Sequence, residues 1–178
     1  MSEPERTALA TREFRGRFWK PCPGTTGGYL CCGYQILSPM VGCGMYCRYC
    51  ILQTYLQQQS QVVFSNFDDL CHEVHDGLAR WRGVVRFGTG ELADSLYPEA
   101  QLGLSRRVAE LLEPYPNVLV EFKTKSDRVD TLRSIREKRK VVVGFSMSTE
   151  AMIAAYERGP ASLAQRLAAV RRCEEMGF

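Results

Sequence analysis

Three cysteines lie within eight residues of the chain, in the segment GCGMYCRYCILQ (42–53). They occupy positions 43, 47 and 50, and Tyr49 comes directly before the last of them. Thiolates at this spacing on one loop can wrap a corner of an iron–sulfur cube. Three thiolates on a four-iron cluster leave one iron without a protein ligand, and an open position on a metal is where a substrate or cofactor binds. The segment therefore predicts a cluster that takes part in chemistry.

A zinc knuckle is the alternative interpretation of the same cysteines. Structural zinc takes four ligands, usually as two separated pairs, so the site would need one more side chain. The chain offers five candidates for it: Cys22, Cys31, Cys32, His72 and His75. The two histidines fall off the apolar stripe of the helix predicted around them, so we expect them to face solvent. Cys71 and Cys173 are expected to be small core residues. The zinc interpretation leaves Tyr49 and the polar loops described below unexplained, which favours the cluster.

The composition is that of one globular domain. Of the 178 residues, 45% are hydrophobic and 24% are charged, so the chain has enough apolar residues to form a buried core. No apolar run approaches the roughly 20 residues that a membrane span requires, and the N-terminus lacks the apolar stretch of a signal peptide. We therefore expect a cytoplasmic protein without membrane contact, whose cysteines are reduced or bind metal. A net charge of +3 is too small to imply nucleic-acid binding by itself.

Short apolar segments rich in β-branched and aromatic residues predict buried strands at 34–37, 83–87, 118–122 and 141–145, with a further extended piece at 62–66. Apolar residues between and after them recur at helical spacing. The three predicted stripes are Leu70, Val74, Leu78 and Trp81; Val108, Leu111 and Leu112; and Leu163, Leu167, Val170 and Cys173. This alternation predicts parallel β/α units. We expect an irregular N-terminal extension over 1–33 and a β/α core over 34–178.

A small or polar cluster follows each of the four main predicted strands. The clusters are LSPMVGC (37–43), GTGE (88–91), KTKSD (123–127) and SMSTE (146–150). The carboxyl ends of parallel strands lie at the same side of a barrel or sheet, where ligands bind. We therefore expect the cysteine loop and the other three clusters to share one rim.

The pattern C-x3-C-x-aromatic-C, formed by Cys43, Cys47, Tyr49 and Cys50 after a first strand, resembles the signature of radical S-adenosylmethionine (SAM) enzymes. With CCGYQIL, VRFGTGELADSL, EFKTKSDRVDTL and FSMSTEAMIAAYERG, the chain resembles the spore photoproduct lyase family from about residue 20 to its C-terminus. The resemblance implies a partial (β/α) radical SAM barrel of about four β/α units. Since such barrels usually have six units, we expect a fragment or a truncated gene product.

The resemblance also implies the cofactors and the reaction. Cys43, Cys47 and Cys50 would bind a [4Fe-4S] cluster, and SAM would be cleaved to a 5′-deoxyadenosyl radical. The implied activity is that of a carbon–carbon lyase on DNA thymine photoproducts, with a reductase or a flavodoxin- or ferredoxin-type protein as electron donor. Two alternatives stay open. One is a radical SAM enzyme with another substrate, and the other is a non-catalytic zinc or iron–sulfur binding module.

Six residues match family positions that contact SAM: Tyr49, Gly90, Glu91, Lys125, Ser146 and Ser148. Their chemistry suits the ligand, because glycine permits close backbone approach, and a carboxylate and a lysine neutralise the ammonium and the carboxylate of SAM. Taken singly, each has a structural explanation: Gly90 could make a tight turn, Glu91 could begin a helix, and Lys125 could be a solvated charge. The prediction that all of them lie together beside three cysteines favours a role in SAM binding over these separate structural explanations.

Three positions depart from the family pattern. A cysteine in the loop after the second strand donates a hydrogen atom in the family, and the resemblance places Gly88 at that position. Ile51 replaces a tyrosine after the last cluster cysteine, and Ser148 replaces an asparagine near the ribose. These departures do not affect the residues predicted to bind the cluster. They do bring into question the repair of DNA thymine photoproducts.

Two basic groups are candidates for contact with DNA phosphates. They are Arg12, Arg15, Arg17 and Lys20 in the extension, and Arg136, Lys138, Arg139 and Lys140 before the fourth main strand. The second group would equally suit the end of a helix, where basic side chains meet the helix dipole.

Replacing Cys43, Cys47 or Cys50 singly with alanine is expected to abolish cluster assembly, because each cysteine is a separate ligand and the chain has no spare thiol at a compatible spacing. Iron content and visible charge-transfer absorbance after anaerobic reconstitution measure the effect. Cys71→Ala, outside the loop, is the control and should assemble the cluster normally. Iron content in Cys50→Ala equal to that of the wild type would contradict the assignment.

Overall fold

The computed structural model describes residues 9–24, 28, 30–56 and 61–178. The described residues form two sheets. The eight strands are β1 (Ala10–Arg12), β2 (Trp19–Pro21), β3 (Gln35–Leu37), β4 (Met40–Val41), β5 (Val62–Phe64), β6 (Val85–Gly88), β7 (Val118–Thr124) and β8 (Val141–Phe145). The larger sheet has the order β2-β3-β6-β7-β8, and the smaller has the order β1-β5-β4.

Helices connect the strands. They are α1 (Leu52–Tyr55), α2 (Phe67–Arg80), α3 (Glu99–Leu102), α4 (Leu104–Leu112), α5 (Glu150–Tyr156) and α6 (Leu163–Met176), with 3-10 turns at Asp130–Ser134 and Lys138–Lys140. None of the helices in the described part of the chain is long and apolar enough to cross a membrane.

The centre of the larger sheet is parallel, as the alternation of strands and helices predicts. Strand β3 pairs with β6, β6 with β7, and β7 with β8, all in parallel. These are the four main predicted strands, and the further extended piece is β5. The predicted β/α architecture, a partial barrel of about four units, is therefore confirmed.

The N-terminal extension contains regular structure, contrary to the expectation for residues 1–33. Strand β2 pairs antiparallel with β3, and β1 pairs parallel with β5. The Glu73 carboxylate accepts hydrogen bonds from the backbone N–H groups of Phe18 (2.9 Å) and Trp19 (3.1 Å), which ties the extension to α2. A three-residue edge strand has too little pattern to be recognised in sequence, because its partner supplies most of what stabilises it. Residues 1–8, 25–27 and 29 of the extension lie outside the described residues, and the division at 33/34 stays a prediction.

The two faces of the larger sheet differ. Along β7, Val118, Val120 and Phe122 are buried beneath the helices, while Glu121 and Lys123 point to the opposite face and are more exposed. The apolar core includes Phe87 of β6 and the predicted stripes of α2 and α4, represented by Leu70, Val74, Val108 and Leu112. The opposite face is the inner face of the partial barrel, and it carries polar and charged side chains.

The fully buried residues of α6 share only Cys173 with the predicted stripe. The predicted stripe was Leu163, Leu167, Val170 and Cys173, but Leu167 is 48% exposed. The buried residues of this helix are Arg166, Ala169, Cys173 and Met176. Arg166 is buried because its guanidinium has partners among the loops of the rim, and this rotates the helix away from the purely apolar stripe.

Ala169→Leu is expected to destabilise the chain by about 1–3 kcal/mol, since Ala169 is fully buried and added methylenes overpack a filled core. Leu167→Ala should change the free energy of unfolding by no more than about 0.5 kcal/mol, as expected at an exposed site. Urea unfolding of the two variants measures both values. A larger loss of stability in Leu167→Ala than in Ala169→Leu would show that the predicted apolar stripe is the buried face after all.

Candidate functional site

The four polar loops that follow the parallel strands meet at one rim, as expected. The backbone N–H of Gly42 in the cysteine loop donates to the carbonyl of Leu92 at 2.8 Å. Ser95, after β6, donates through its backbone N–H to the carbonyl of Lys123 at 3.1 Å. The N–H of Ser146, after β8, donates to the carbonyl of Thr124 at 2.8 Å. Hydrogen bonds thus join the loops after β3, β6 and β8 and the end of β7 into one surface.

The cysteine loop has a backbone shape that few residues allow. Gly42 and Tyr46 adopt left-handed conformations, with φ of 86° and 49°. Gly44 lies against the ring of Tyr97, where an added Cβ would come within 2.6 Å of a ring carbon. A residue with a side chain at position 44 would displace either the Tyr97 ring or the loop. Cys47 is buried, with only 6% of its surface exposed.

The loop that follows α5 holds the cysteine loop from its other side. The N–H of Arg48 donates to the carbonyl of Tyr156 at 2.8 Å, and the N–H of Gly159 donates to the carbonyl of Met45 at 3.0 Å. Gly159 is also required sterically, because a Cβ there would lie 2.7 Å from the Met45 carbonyl oxygen. Backbone contacts therefore grip the cysteine loop on both sides.

A buried ion pair stands behind these contacts. The guanidinium of Arg166 bonds to the carboxylate of Glu157, and their side chains are 0% and 1% exposed. The hydroxyl of Tyr49, beside the third cysteine, donates to the other oxygen of Glu157. Burial acts to raise the pKa of Glu157, but the hydrogen bonds from Arg166 and Tyr49 outweigh it and leave the pKa below its usual range. The carboxylate is therefore charged at neutral pH.

The remaining donors of Arg166 bind carbonyl oxygens of the rim. Its Nε donates to the carbonyl of Ala161 and its Nη1 to the carbonyl of Ser146, each at 2.8 Å. One guanidinium thus links α6, the loop after β8 and, through Glu157, the cysteine loop. Its five donors explain why arginine suits a position that must bind several acceptors at once.

Asp94 organises the opposite side of the rim. Its carboxylate accepts hydrogen bonds from the Thr124 hydroxyl and the Lys125 N–H, each at 2.7 Å. It also accepts from the N–H groups of Leu96 (3.0 Å) and Tyr97 (2.9 Å). Burial raises the pKa of Asp94, and these four bonds oppose the shift by favouring the charged form. Asp94 thereby fixes the end of β7 and the ring that contacts Gly44.

Burial favours the protonated form of two thiols of the loop, Cys43 and Cys47. Burial, and after it the carboxylate of Asp94, raises the pKa of Cys43 to about 12. Burial raises the pKa of Cys47 to about 11. Iron binds thiolates, so metal binding must release protons from these groups.

The three cysteines of the loop are the candidate ligands of an iron–sulfur cluster, and their binding of one stays a prediction. No three His, Cys, Asp or Glu side chains in the described residues come close enough together to hold one metal ion. Cysteines that bind different irons of one cube do not converge on one point, so a cluster does not require such a group. The donor set of three thiols on one short, tightly held loop suits that cofactor.

The predicted SAM contacts lie around the same rim. Gly90 is packed against β7, with a would-be Cβ 3.1 Å from the Ser95 hydroxyl. Lys125 places its Nζ 5.9 Å from the centre of the Tyr49 ring. Glu91, Lys125, Ser146 and Ser148 are half-buried, while the Tyr49 side chain is 52% exposed. The structure brings these positions to one rim, and their contact with SAM stays a prediction.

Sequence reasoning missed four residues of the site: Asp94, Tyr97, Glu157 and Arg166. The strongest available signal was Arg166, a charge inside an otherwise apolar helix register. Its partner Glu157 lies on a separate loop, and nothing in the local pattern pairs the two. Asp94 and Tyr97 lie in the quoted segment after GTGE, but their contacts depend on how β6 and β7 are aligned.

The other cysteines and the histidines follow their expected environments. Cys173 is buried in the core, and the partly buried Cys71 packs against the core. His72 and His75 are exposed on α2. Cys32 is exposed, and its sulfur accepts a hydrogen bond from Arg86 at 3.5 Å.

Members of the basic group at 136–140 contact neighbouring residues, although Arg136 and Arg139 are exposed. Arg136 pairs with Glu113 at 3.3 Å, Arg139 pairs with Glu137 at 3.2 Å, and the Lys140 ammonium donates to the Glu113 carbonyl at 2.6 Å. These residues precede β8 and so lie at the end of the sheet opposite the rim. In the extension, Arg12, Arg15 and Arg17 are exposed. DNA contact by either group stays a prediction.

Arg166→Met is expected to cost about 3–5 kcal/mol of stability, because it leaves the buried Glu157 carboxylate unpaired. Arg171→Met, at an exposed position of the same helix, is the matched control and should stay within about 0.5 kcal/mol. Urea unfolding at neutral pH measures both.

The pH dependence provides a second check on the pair. The pKa of Glu157 is lowered on folding, so its contribution is complete above the ordinary glutamate pKa and is lost as the pH falls through the lowered value. The gap in stability between wild type and Arg166→Met should therefore narrow in acid. A gap independent of pH would contradict the charged pair.

Known proteins match this chain over most of its length. A curated spore photoproduct lyase from Geobacillus sp. (strain Y412MC61) is 26% identical over 139 residues, which is 77% of this chain and 41% of the relative. A solved spore photoproduct lyase complexed with dinucleoside spore photoproduct aligns with a TM-score of 0.84 at 23% identity, over 96% of this chain and 48% of that one. A cysteine-to-alanine variant with the same dinucleoside aligns with a TM-score of 0.74 at 26% identity, over 80% and 43%.

A further variant of the lyase, with bound AdoMet and dinucleoside spore photoproduct, aligns with a TM-score of 0.84 at 23% identity. The chain spans less than half the length of these relatives. The solved structures near 23% identity support the fold, whereas the family follows from the sequence. The profile of the spore photoproduct lyase family matches residues 33–178, and the chain therefore belongs to the spore photoproduct lyase family.

Proposed function

We propose that this chain carries the cluster- and SAM-binding part of a radical SAM enzyme of the lyase type. The observation that carries the proposal is the three-cysteine loop, held by its own backbone at the rim where the loops after β6, β7 and β8 converge. Ligands of parallel β/α folds bind at this rim. Membership of the spore photoproduct lyase family supports the same function.

Cys43, Cys47 and Cys50 would hold a [4Fe-4S] cluster, and the surrounding loops would hold SAM. The cluster, when bound, supplies the electron for reductive cleavage of SAM and so a radical able to abstract hydrogen. The electron must come from outside the chain, from a reductase or a flavodoxin- or ferredoxin-type protein. A cytoplasmic location would keep the ligand thiols reduced.

The residues of the rim would bind and orient the two cofactors. Glu91 and Lys125 carry opposite charges, so they can neutralise the ammonium and the carboxylate of an amino acid. Gly90 allows its backbone to approach the ligand closely. The buried pair of Glu157 and Arg166 holds the cysteine loop in place, which limits the rearrangement that cofactor binding requires.

The substrate we propose is a thymine photoproduct of DNA. Solved lyases of similar fold contain dinucleoside spore photoproduct, which supports this class. The resemblance places Gly88 where a family cysteine donates a hydrogen atom, and glycine has no side chain to donate one. A different substrate within the same radical chemistry is therefore the second candidate. Both basic groups have exposed arginines with a carboxylate neighbour, Arg15 in the extension and Arg136 and Arg139 at 136–140, so exposure and pairing favour neither group for contact with phosphate.

Anaerobic reconstitution with iron and sulfide tests the function. The chain, reduced in the presence of SAM, should bind iron, develop visible charge-transfer absorbance and form 5′-deoxyadenosine. Zinc bound in equal amount to protein, without colour and without SAM cleavage, would instead make the chain a non-catalytic metal-binding module.

Glu91→Ala and Lys125→Ala should each weaken SAM binding by about 1–3 kcal/mol, the effect of losing one charge-assisted contact. Both variants should retain the iron content of the wild type, because neither residue belongs to the cysteine loop. Equilibrium binding of SAM to the reconstituted protein measures the effect, with Glu110→Ala on the exposed surface of α4 as control. SAM affinity unchanged in both variants would remove these residues from the site.

A further inference from the structure

A cavity of about 550 Å³ lies between the edge strand β2 and helix α2, outside the rim. This volume falls within the range of small-molecule sites, roughly 300–1,000 Å³. Arg80 and Trp81 come just before β6 begins, so the cavity lies towards the amino ends of the parallel strands, away from the cysteine loop. We call this cavity the tryptophan pocket. Its lining includes Arg17, Trp19, Gln35, Glu73, Arg80 and Trp81.

Two indole rings form one wall of the tryptophan pocket. The ring centres of Trp19 and Trp81 lie 5.4 Å apart, and the ring planes are tilted by 42°. Trp19 also packs edge-on against Phe87 in the core, with the ring centres 4.8 Å apart. Gly77 of α2 makes room for Trp19, because an added Cβ would lie 2.2 Å from a ring carbon. Glycine is unfavourable inside a helix, and here it lets the indole lie directly against the helix backbone. The fold therefore holds this wall in place.

The acceptor side chains of the lining are engaged within the fold. The carboxylate of Glu73 accepts hydrogen bonds from the backbone N–H groups of Phe18 and Trp19. The side-chain oxygen of Gln35 accepts a hydrogen bond from the indole N–H of Trp19 at 2.9 Å. The side-chain nitrogen of Gln35 donates to the carbonyl of Gly33 at 3.0 Å. Contacts within the chain therefore account for both Glu73 and Gln35.

Three donor side chains of the lining lack an acceptor among the described residues. The guanidinium groups of Arg17 and Arg80 form neither a hydrogen bond nor an ion pair within the described part of the chain. The indole N–H of Trp81 is buried, and no described residue accepts a hydrogen bond from it. A buried donor without an acceptor costs free energy. Since the three groups are all donors and two of them are cations, the pocket suits a ligand that is rich in acceptors and negatively charged.

We propose that the tryptophan pocket binds a nucleotide, with the base stacked on the indole wall and the phosphate bound by Arg17 and Arg80. Aromatic side chains that stack bases, combined with positive groups that follow the phosphates, are the usual means of binding unpaired nucleotides. Guanidinium groups bind phosphate through two parallel hydrogen bonds. An oxygen of the nucleotide can accept the remaining donor, the N–H of Trp81. Because the two indole rings pack together, the base lies on the pocket side of the pair rather than between the rings.

The indole wall alone would also suit a proline-rich peptide, since such peptides bind in grooves lined by aromatic side chains. A proline-rich segment brings no negative charge for Arg17 and Arg80, so the charged part of the lining favours the nucleotide. What distinguishes these two arginines from other exposed arginines of the chain is the pair of indole rings beside them. A free nucleotide and a single DNA strand present the same chemistry to the pocket, so experiment has to separate these two sources.

Fluorescence reports on this pocket directly, because Trp19 and Trp81 are the only two tryptophans of the chain. Titration of the full chain with a short single-stranded oligothymidylate should quench their emission, and added salt should weaken the binding, as expected for phosphate contacts. Thymidine monophosphate is titrated in parallel. Tighter binding of the oligonucleotide would identify a DNA strand as the ligand, whereas equal or lower affinity of the oligonucleotide would identify a free nucleotide. Absence of quenching by both ligands would overturn the proposal.

Arg17→Gln and Arg80→Gln should each weaken the binding about tenfold, the effect of losing one charge-assisted contact. Both positions are exposed, so the melting temperature of each variant should match that of the wild type. Arg82→Gln is the matched control, because it removes the same charge at an exposed position outside the lining. It should change the affinity by less than about twofold, since exposed charges at a distance are screened by salt.

Two further outcomes would contradict the nucleotide site. Equal weakening in all three arginine variants would show that the ligand is attracted by the overall charge of the chain and not by this pocket. Quenching by a proline-rich peptide but not by either nucleotide ligand, with no effect of the arginine variants, would assign the pocket to a peptide. None of these measurements requires the cluster or SAM, so their outcome is independent of the proposed function.

Discussion

The site depends on one buried contact, the pair between Glu157 and Arg166. A charge without a partner in the interior costs several kcal/mol, so each member of the pair fixes the position of the other. Arg166 determines which face of α6 is buried, and it binds the carbonyl of Ser146 after β8. Glu157 receives the hydroxyl of Tyr49 within the cysteine loop. The orientation of a helix, the end of a strand and the shape of the cysteine loop are therefore coupled through a single ion pair.

The rim has two supports of different chemistry. On one side, Asp94 gathers backbone N–H groups and fixes the end of β7 together with Tyr97. On the other side, Arg166 gathers carbonyl oxygens. An acceptor carboxylate and a donor guanidinium thus satisfy backbone groups of opposite type, which would otherwise be unpaired in loops that are partly buried. The cysteine loop lies between the two supports, and glycines at 44 and 159 let it approach both closely. A preorganised loop of this kind suits a cofactor that must be held in one geometry.

The inner face of the partial barrel differs from the face that packs on the helices. Alternation along β6 and β7 directs Phe87, Val120 and Phe122 into the core and leaves Arg86, Glu121 and Lys123 on the other side. Tyr34 joins these charges from the neighbouring strand. The Tyr34 hydroxyl occupies the volume that a side chain at position 88 would need, because parallel strands lie close enough for their side chains to compete for the same space.

The sequence by itself determined the parallel β/α core, the cysteine loop and the expectation that four polar clusters share one rim. Each of these depends on local spacing: apolar periodicity for the strands and helices, and the intervals between cysteines for the loop. The tertiary structure alone decided that β2 joins the sheet, that Arg166 is buried while Leu167 is exposed, and that Tyr34 fills the space beside Gly88. These outcomes depend on contacts between residues tens of positions apart, or on a charge whose burial is stable only once its partner is in place. Strand register and helix rotation are set by the packing of the whole core, and no local pattern contains that information.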